Sequence, residues 1–228
     1  MYIREFIFYF FFYFWTIIFF LFFSLVHFFS ESFTSRLSYF WSKSVIKLIQ
    51  YILNINYKIT GYSNLSNKPV IIASNHQSAW ETFFIYTLVK DPIYILKKEL
   101  KKIPILSSYF KKLGFIYVDR ATVFKSTKEI LKQIKEKKVD NKRTIVIFPE
   151  GTRVKPGTEK DLGGGVFLLY KHLKLPIITI RHNSGCFWVN KKIKKCPGTI
   201  DVQIFPEISP GLKKHNIINI LHRNFYKI

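Results

Sequence analysis

Cysteine and acidic residues are the scarce components of this 228-residue chain. The two cysteines, Cys186 and Cys196, have neither CxxC spacing nor histidines at ligand spacing. This argues against a disulfide-stapled scaffold or a structural zinc site and suits a reducing compartment. Asp and Glu number 14 against 36 Lys and Arg, a formal net charge of +22 that excludes an acidic regulatory tail.

The excess of positive charge favours an anionic partner, which could be a nucleic acid, an anionic membrane or a phosphorylated substrate. A genomic bias toward Lys, Phe and Ile would explain part of the same excess. A nucleic-acid binder would interleave basic and aromatic residues on one face, whereas the lysines here are scattered through several segments. We therefore expect no nucleic-acid partner. Hydrophobic residues make up 48% of the chain, too many for a disordered protein.

Charge is almost absent from the first 30 residues, where Arg4 and Glu5 alone carry it. Residues 6–29 are uncharged, and a helix of that length extends about 36 Å, enough to cross a bilayer. A signal peptide would have a shorter apolar stretch, about 7–15 residues, and a small-residue cleavage site. The many aromatic side chains suit an interfacial helix equally. We predict membrane attachment, with both a span and a shallow anchor open.

Residues 36–53 form a second segment, in which apolar residues recur at helical spacing and lysines share the other face. This pattern predicts a helix that either covers a globular core or lies on an anionic leaflet. We assign residues 1–55 to an N-terminal membrane-anchoring helical segment and residues 56–228 to the functional domain. By the positive-inside rule, the Lys-rich remainder should face the cytoplasm.

From Asn56 onward, short β-rich runs alternate with helical ones. The alternation predicts an α/β fold with a mostly parallel mixed sheet covered by helices, preceded by the N-terminal membrane-associated helices. In such sheets ligands bind beyond the carboxyl ends of the strands, so the residues that follow strands are the first candidates for a site. The predicted strands are 57–60, 70–74, 93–96, 115–118, 144–148, 177–180 and 200–205, and the predicted helices are 78–90, 106–113, 123–138 and 165–174.

His76 and Glu81 follow the predicted strand 70–74. On a regular helix a separation of five residues places two side chains about 140° apart, so they meet only if His76 lies in the loop and Glu81 in the first helical turn. Ser78 and Glu81 also match a capping box, in which Glu81 merely caps the helix. The same geometry lets the carboxylate accept a hydrogen bond from one imidazole nitrogen and leaves the other as a general base. Both interpretations stay open at this point.

Two further strands end in charged residues. After strand 144–148, Gly151 permits a tight turn, Arg153 offers a bidentate fork for a phosphate, and Glu150 can orient Arg153 or a substrate hydroxyl. A plain turn with a surface ion pair is the alternative. Strand 115–118 ends in Asp119 and Arg120, which alone would be structural.

Taken in order, these blocks resemble the glycerophospholipid acyltransferase family, specifically the 1-acyl-sn-glycerol-3-phosphate acyltransferases. The resemblance extends from about Lys58 to Phe205 and rests on the His76–Glu81 block and on the run from Phe148 to Arg153. It implies the glycerolipid acyltransferase fold. It also implies transfer of an acyl chain from acyl-CoA or acyl carrier protein to the sn-2 hydroxyl of lysophosphatidic acid, giving phosphatidic acid in phospholipid biosynthesis.

The resemblance also implies residue roles. His76 would be the general base and Glu81 its partner carboxylate. The acceptor site would be lined by Glu150, Gly151, Thr152 and Arg153, with Arg120 as a further phosphate ligand. A thioester is already activated, so no enzyme nucleophile, cofactor or metal is expected, and no clustered carboxylates flank the proposed phosphate site. Backbone N–H groups after Ser78 are candidate oxyanion donors.

Two features depart from the family pattern. Glu81 stands where most members have Asp, and Gly163-Gly164-Gly165 stands where Lys-Pro-Gly is usual. The expected partners are the membrane, lysophosphatidic acid and the acyl donor, and the expected location is the inner (cytoplasmic) membrane with the catalytic domain facing the cytoplasm. An acyltransferase for another lysophospholipid or an ornithine-type lysolipid is the alternative. Acyl-chain length and the choice between the two donors stay open.

Overall fold

The computed structural model of this chain describes residues 2–22, 28–119, 129–130, 132–134, 136, 143–190 and 192–227. Two long helices come first, α1 (Ile3–Phe22) and α2 (Glu31–Leu53). The Ser30 hydroxyl caps α2 by accepting a hydrogen bond from Phe33 N at 3.2 Å, and Asn54 ends it in the left-handed conformation. Helix α2 therefore begins five residues before the predicted segment because Ser30 supplies the N-cap.

A seven-stranded sheet follows, in the order β1-β7-β6-β2-β5-β3-β4. Every neighbouring pair is parallel except β6 and β7. The strands are β1 (Ile55–Thr60), β2 (Ile71–Ser74), β3 (Ile93–Lys97), β4 (Ile116–Val118), β5 (Ile145–Ile147), β6 (Ile177–His182) and β7 (Gly198–Ile204). The predicted strands and the mostly parallel α/β architecture are confirmed, with strand ends shifted by up to two residues.

Among the helices whose full bounds the structure describes, five more connect the strands or follow them: α3 (Trp80–Leu88), α4 (Pro104–Lys112), α5 (Gly165–Leu173), α6 (Ser184–Phe187) and α7 (Lys214–Tyr226). The last two were not predicted from the sequence. In α7 a visible signal was present, since Ile217, Leu221 and Phe225 recur at a spacing of four residues and are buried. The predicted helix 123–138 lies largely outside the described residues, although residues 129–130, 132–134 and 136 are helical.

Apolar layers cover both faces of the sheet. In β2, Ile72 packs with the layer that includes α2 and α3, whereas Ile71 and Ala73 pack with the layer that includes α5 and α7. Successive strand residues point to opposite faces, so a strand covered on both sides is apolar throughout, as in parallel sheets. Phe8 and Phe19 of α1 belong to the first layer. The division of the chain at residue 55 stays a prediction.

Helix α1 is long and apolar enough to cross a membrane, with a mean hydropathy of 1.6 over Ile3–Leu21. One face of it is exposed along its length, including Phe6, Phe10, Phe14 and Leu21. A contiguous apolar surface of this kind marks an interaction site for a membrane or another protein. Together with the length and composition of α1, it indicates membrane association.

Candidate active site

The central strands β2 and β5 bring the two predicted site segments together. These strands pair in parallel, so their carboxyl ends lie at the same edge of the sheet. Val154 N donates to the carbonyl oxygen of His76 at 2.7 Å, and the Phe148 ring stacks on the His76 imidazole with centroids 4.3 Å apart. Gly151 forms the intervening turn at a positive φ of 69°, where a side chain would be strained. Phe148, after the end of β5, and the loop that follows it therefore contact His76, which follows β2.

His76 and Glu81 meet as the loop-and-first-turn geometry requires. His76 Nδ1 lies 2.8 Å from Glu81 Oε1, with Glu81 completely buried and His76 9% exposed. An ionised carboxylate only accepts hydrogen bonds, so Nδ1 carries the proton and Nε2 keeps its lone pair. This is the tautomer that a general base needs.

The capping interpretation is satisfied by the same carboxylate. Glu81 Oε1 also accepts from Gln77 N and Ser78 N, both at 2.8 Å. The helix begins at Trp80 with Ala79 as N-cap, one residue later than a Ser78–Glu81 capping box implies. The Ser78 hydroxyl instead accepts from Trp80 N at 3.0 Å. The Trp80 amide is thus already hydrogen-bonded, which weighs against it as an oxyanion donor.

Two hydroxyls complete the surroundings of Glu81. Ser78 Oγ and Ser184 Oγ both donate to Oε2, the latter at 2.9 Å. Burial by itself would raise the pKa of the Glu81 carboxyl, but the hydrogen bonds from His76 and Ser78 and the nearby His76 ring hold that pKa well below its ordinary value. Glu81 is therefore a fixed negative charge against the imidazole.

His182 and Ser184 were not predicted as site residues, although the run Asn183-Ser184-Gly185 follows strand β6. His182 Nε2 donates to the Asn75 carbonyl oxygen at 2.9 Å, and the Asn75 side chain exchanges hydrogen bonds with the His182 backbone at 2.9 and 3.0 Å. Burial lowers the pKa of His182, and a neutral ring fits its contacts. These hydrogen bonds connect the ends of β2 and β6 and so place Ser184 next to Glu81.

Glu150 lies against the backbone of His76 rather than in open space. Its Oε2 accepts from His76 N at 2.6 Å, and its Oε1 accepts from the hydroxyl of Tyr226 at 2.6 Å. The side chain is 3% exposed, and burial raises its pKa to about 7 against the lowering effect of those two hydrogen bonds. Tyr226, at the end of α7, was not predicted as a site residue.

A cavity of about 570 Å³ opens beside His76. It follows α3 along Thr82, Phe83 and Tyr86 and follows β3 from Lys97 back to Tyr94. Because strands rise about 3.3 Å per residue, the cavity reaches roughly 10 Å back from the strand end. Its walls also include side chains of α1, α2 and α4, among them Phe19, Phe20, Ser38, Trp41, Ser42, Leu106, Tyr109 and Phe110. This size and apolar lining suit an extended hydrocarbon chain.

The remaining predicted residues lie around the same opening. Thr152 and Arg153 line the cavity together with Lys97. Arg153 is exposed and its Nη1 donates to Asn190 Oδ1 at 3.0 Å. Arg120 lies outside the described residues. Within the part of the chain that the structure describes, no group of three or more His, Cys, Asp or Glu could hold a metal ion.

Comparisons with known proteins find similar sequences and a similar fold. A family model described as Acyltransferase matches residues 56–183. The chain is 34% identical over 166 residues to the 1-acyl-sn-glycerol-3-phosphate acyltransferase of Pseudomonas aeruginosa, covering 73% of this chain and 64% of the relative. It is 28% identical over 199 residues to the enzyme of the same name from Borreliella burgdorferi, covering 84% and 79%. The chain thus spans less than two thirds of the Pseudomonas protein.

Among solved structures, the fold is similar to that of the 1-acyl-sn-glycerophosphate (LPA) acyltransferase PlsC from Thermotoga maritima. The TM-score is 0.73 at 20% sequence identity, over 98% of this chain and 96% of the other. The likeness therefore extends to the N-terminal helices and the C-terminal helix, which lie outside the residues that the family model matches.

Proposed function

The chain belongs to the acyltransferase family, as its sequence predicts, and we propose that it transfers an acyl chain from a thioester donor to the sn-2 hydroxyl of lysophosphatidic acid, giving phosphatidic acid. The observation that carries this proposal is the His76–Glu81 pair at the mouth of an apolar cavity. The names of the Pseudomonas and Borreliella relatives support the choice of acceptor.

The proposed reaction needs one base and no covalent enzyme intermediate. His76 Nε2 takes the proton of the acceptor hydroxyl while the oxygen attacks the thioester carbonyl carbon. The tetrahedral intermediate then collapses, the carbon–sulfur bond breaks, and the leaving thiolate takes the proton back from the imidazolium. Glu81 stays ionised throughout and stabilises the imidazolium through Nδ1–H. A positioned base of this kind contributes roughly 10²–10⁴ in rate.

The substrates are proposed to lie on either side of His76. The cavity would hold an acyl chain, since its walls are largely apolar. Arg153, with Thr152 and Lys97 at the same opening, would hold the phosphate of lysophosphatidic acid, because a guanidinium binds phosphate through two parallel hydrogen bonds. Gly151 would shape this loop, and Glu150 would hold it against His76. The net charge of +22 would attract anionic substrates, acyl-CoA and acyl carrier protein among them.

We further propose that α1 lies in one leaflet rather than crossing the bilayer, with residues 1–55 as the anchor. Phe8 and Phe19 are both buried in the core that the helix shares with the sheet, about 16 Å apart along the helix axis. Glu5 accepts a hydrogen bond from Lys195 N at 3.1 Å. A helix held at these points presents its exposed aromatic face to lipid while staying on the protein. The negative surface potential of a cytoplasmic leaflet attracts Lys-rich surfaces, which favours the inner (cytoplasmic) membrane, with the catalytic domain in the cytoplasm.

The test is an acyl-transfer assay with labelled acyl donor and lysophosphatidic acid, in washed membranes that contain the wild type, His76→Ala or His215→Ala. His215 is an exposed histidine on α7 and serves as the matched control. We expect labelled phosphatidic acid with the wild type and the control, and a loss of at least a hundredfold with His76→Ala.

Other outcomes would change specific parts of the proposal. Wild-type activity on another lysophospholipid or an ornithine-type lysolipid, with none on lysophosphatidic acid, would replace the acceptor and keep the mechanism. Full activity of His76→Ala would remove the base assignment. Running the assay with acyl-CoA and with acyl carrier protein in parallel identifies the donor.

A further inference from the structure

The C-terminal helix reaches the catalytic histidine through one carboxylate. Tyr226 is the last residue of α7, and its hydroxyl donates to Glu150 Oε1 at 2.6 Å. The other oxygen, Oε2, accepts from His76 N at 2.6 Å. Tyr226 lies far beyond residues 56–183, which the family model matches. Two short hydrogen bonds through Glu150 therefore connect the last residue of α7 to the proposed general base.

The position of Tyr226 is itself well determined. Ile217, Leu221 and Phe225 of α7 are buried against the sheet, and Asn224 Nδ2 donates to Thr179 Oγ1 of β6 at 3.3 Å. One turn before Tyr226, His222 packs edge-on against its ring, with centroids 4.8 Å apart. The phenol is thus presented to Glu150 by a helix that is packed on the fold, so it can hold the carboxylate in a single orientation.

We propose that Tyr226 is a positioning residue for acyl transfer, which acts through Glu150 on His76; this rests on the function proposed above. With Oε1 held by the phenol, Oε2 is aimed at the His76 amide. The carbonyl of the same residue is held by Val154 N at 2.7 Å. The backbone of His76 is therefore held at both ends of the residue. Small displacements of a catalytic group have large effects, up to about a hundredfold for 1 Å.

The positioning of His76 depends on the charge state of Glu150, because only the ionised carboxylate accepts hydrogen bonds through both oxygens without carrying a proton of its own. Burial and the neighbouring Glu81 carboxylate favour its neutral form, whereas the hydrogen bonds from Tyr226 and His76 and the nearby Lys160 favour the ionised form. Removing the phenol hydroxyl takes away one of the groups that lower the pKa of Glu150. Glu150 would then take up a proton at a higher pH, and its hold on the His76 amide would weaken there.

The experiment compares purified wild type, Tyr226→Phe and Tyr51→Phe, with kcat and KM for both substrates measured from pH 5.5 to 9.5. Tyr51 is 83% exposed on α2 and serves as the control. Tyr226→Phe should lower kcat about tenfold and leave both KM values within about twofold, since Tyr226 is not among the residues that line the cavity. The acidic limb of its kcat profile should move to higher pH. Tyr51→Phe should match the wild type.

A double variant tests whether the effect passes through Glu150. In a Glu150→Gln background, Tyr226→Phe should lower kcat no further, because residues that act through one another are not additive. Independent, multiplicative losses would overturn the proposal. So would a Tyr226→Phe variant with wild-type kcat and pH profile, or one whose loss is uniform over pH and equals its loss of folded protein in thermal unfolding.

A second measurement needs no substrate. In protein labelled with ¹⁵N-histidine, the His76 imidazole signals are identified by their loss in His76→Ala. They should shift in Tyr226→Phe and stay in place in Tyr51→Phe, and unchanged signals in both would overturn the proposal. If the wild type transfers no acyl group to any lysolipid while these signals shift, the proposed function fails and the Tyr226–Glu150–His76 connection stands.

Discussion

Replacing Glu81 by Gln removes a negative charge from beneath the proposed base while keeping the shape of the side chain. The carboxylate accepts hydrogen bonds from His76 Nδ1, from two backbone N–H groups and from the hydroxyls of Ser78 and Ser184. A Gln carbonyl oxygen can keep the first three, and both serine hydroxyls can rotate to accept from the new amide. We therefore expect the variant to fold, with a loss of about 1–2 kcal/mol in unfolding free energy.

The catalytic effect should be much larger than the loss of stability. Hydrogen bonds to charged groups contribute about 1.5–3 kcal/mol against 0.5–1.5 for neutral ones. In the wild type, the fully buried Glu81 carboxylate also stabilises the imidazolium of His76, which forms only during the reaction, across an Nδ1–Oε1 distance of 2.8 Å. The variant loses this stabilisation. General-base assistance is worth roughly 10²–10⁴ in rate, so we expect kcat to fall about a hundredfold or more.

The assay is phosphatidic acid formation under saturating substrates, with thermal unfolding of the same preparations. Glu207→Gln, at an exposed glutamate, is the matched control and should behave as the wild type. If Glu81→Gln is folded and keeps more than about a third of wild-type kcat, the carboxylate does not stabilise a charged imidazole, and the helix-capping interpretation alone accounts for it.

Three further variants test the surroundings of the pair. Burial raises the pKa of Glu150 to about 7, above the unfolded value of about 4.3. The protonated carboxyl therefore stabilises the folded protein at low pH, and this stabilisation is lost as the pH rises through 7. In denaturant titrations Glu150→Gln should be more stable than the wild type at pH 8 by up to about 3 kcal/mol, with little difference at pH 4, and an equal gain at both pH values would contradict this. In Gly185→Ala, the new Cβ would lie 2.7 Å from Pro156 Cγ and 3.0 Å from Gln77 Cβ. The site loops must then move apart, so kcat should fall at least about tenfold. Unchanged kinetics would show that these loops tolerate movement. Ser42→Leu places a larger side chain in the cavity wall and should lower kcat/KM for long-chain donors about tenfold relative to short-chain donors; an unchanged ratio would place the acyl chain elsewhere.

Local sequence patterns were sufficient to predict the strands and the contact between His76 and Glu81. The central strands β2 and β5 are short apolar runs bounded by polar or turn-forming residues, and their burial on both faces explains why such runs could be recognised without alternation. Strands β1 and β7 alternate between buried and exposed residues instead. The meeting of His76 and Glu81 was equally predictable, because five residues across a loop and a first helical turn leave few arrangements. Both relations are short in sequence, and short-range geometry is restricted by the backbone.

The tertiary structure decided which residues distant in sequence hydrogen-bond to Glu81 and Glu150. Ser184 reaches Glu81 across 103 positions of sequence, and Tyr226 reaches Glu150 across 76. The first contact exists because β6 pairs with β2, and the second because α7 packs on the sheet. The cavity likewise exists only where α1, α2 and α4 meet α3 and β3. The sequence by itself placed His76, the proposed base, beside Glu81 and predicted the loops that carry them, because those relations are local. Their hydrogen-bonded support and the shape of the cavity follow from strand order and helix packing, which no local pattern in the chain specifies.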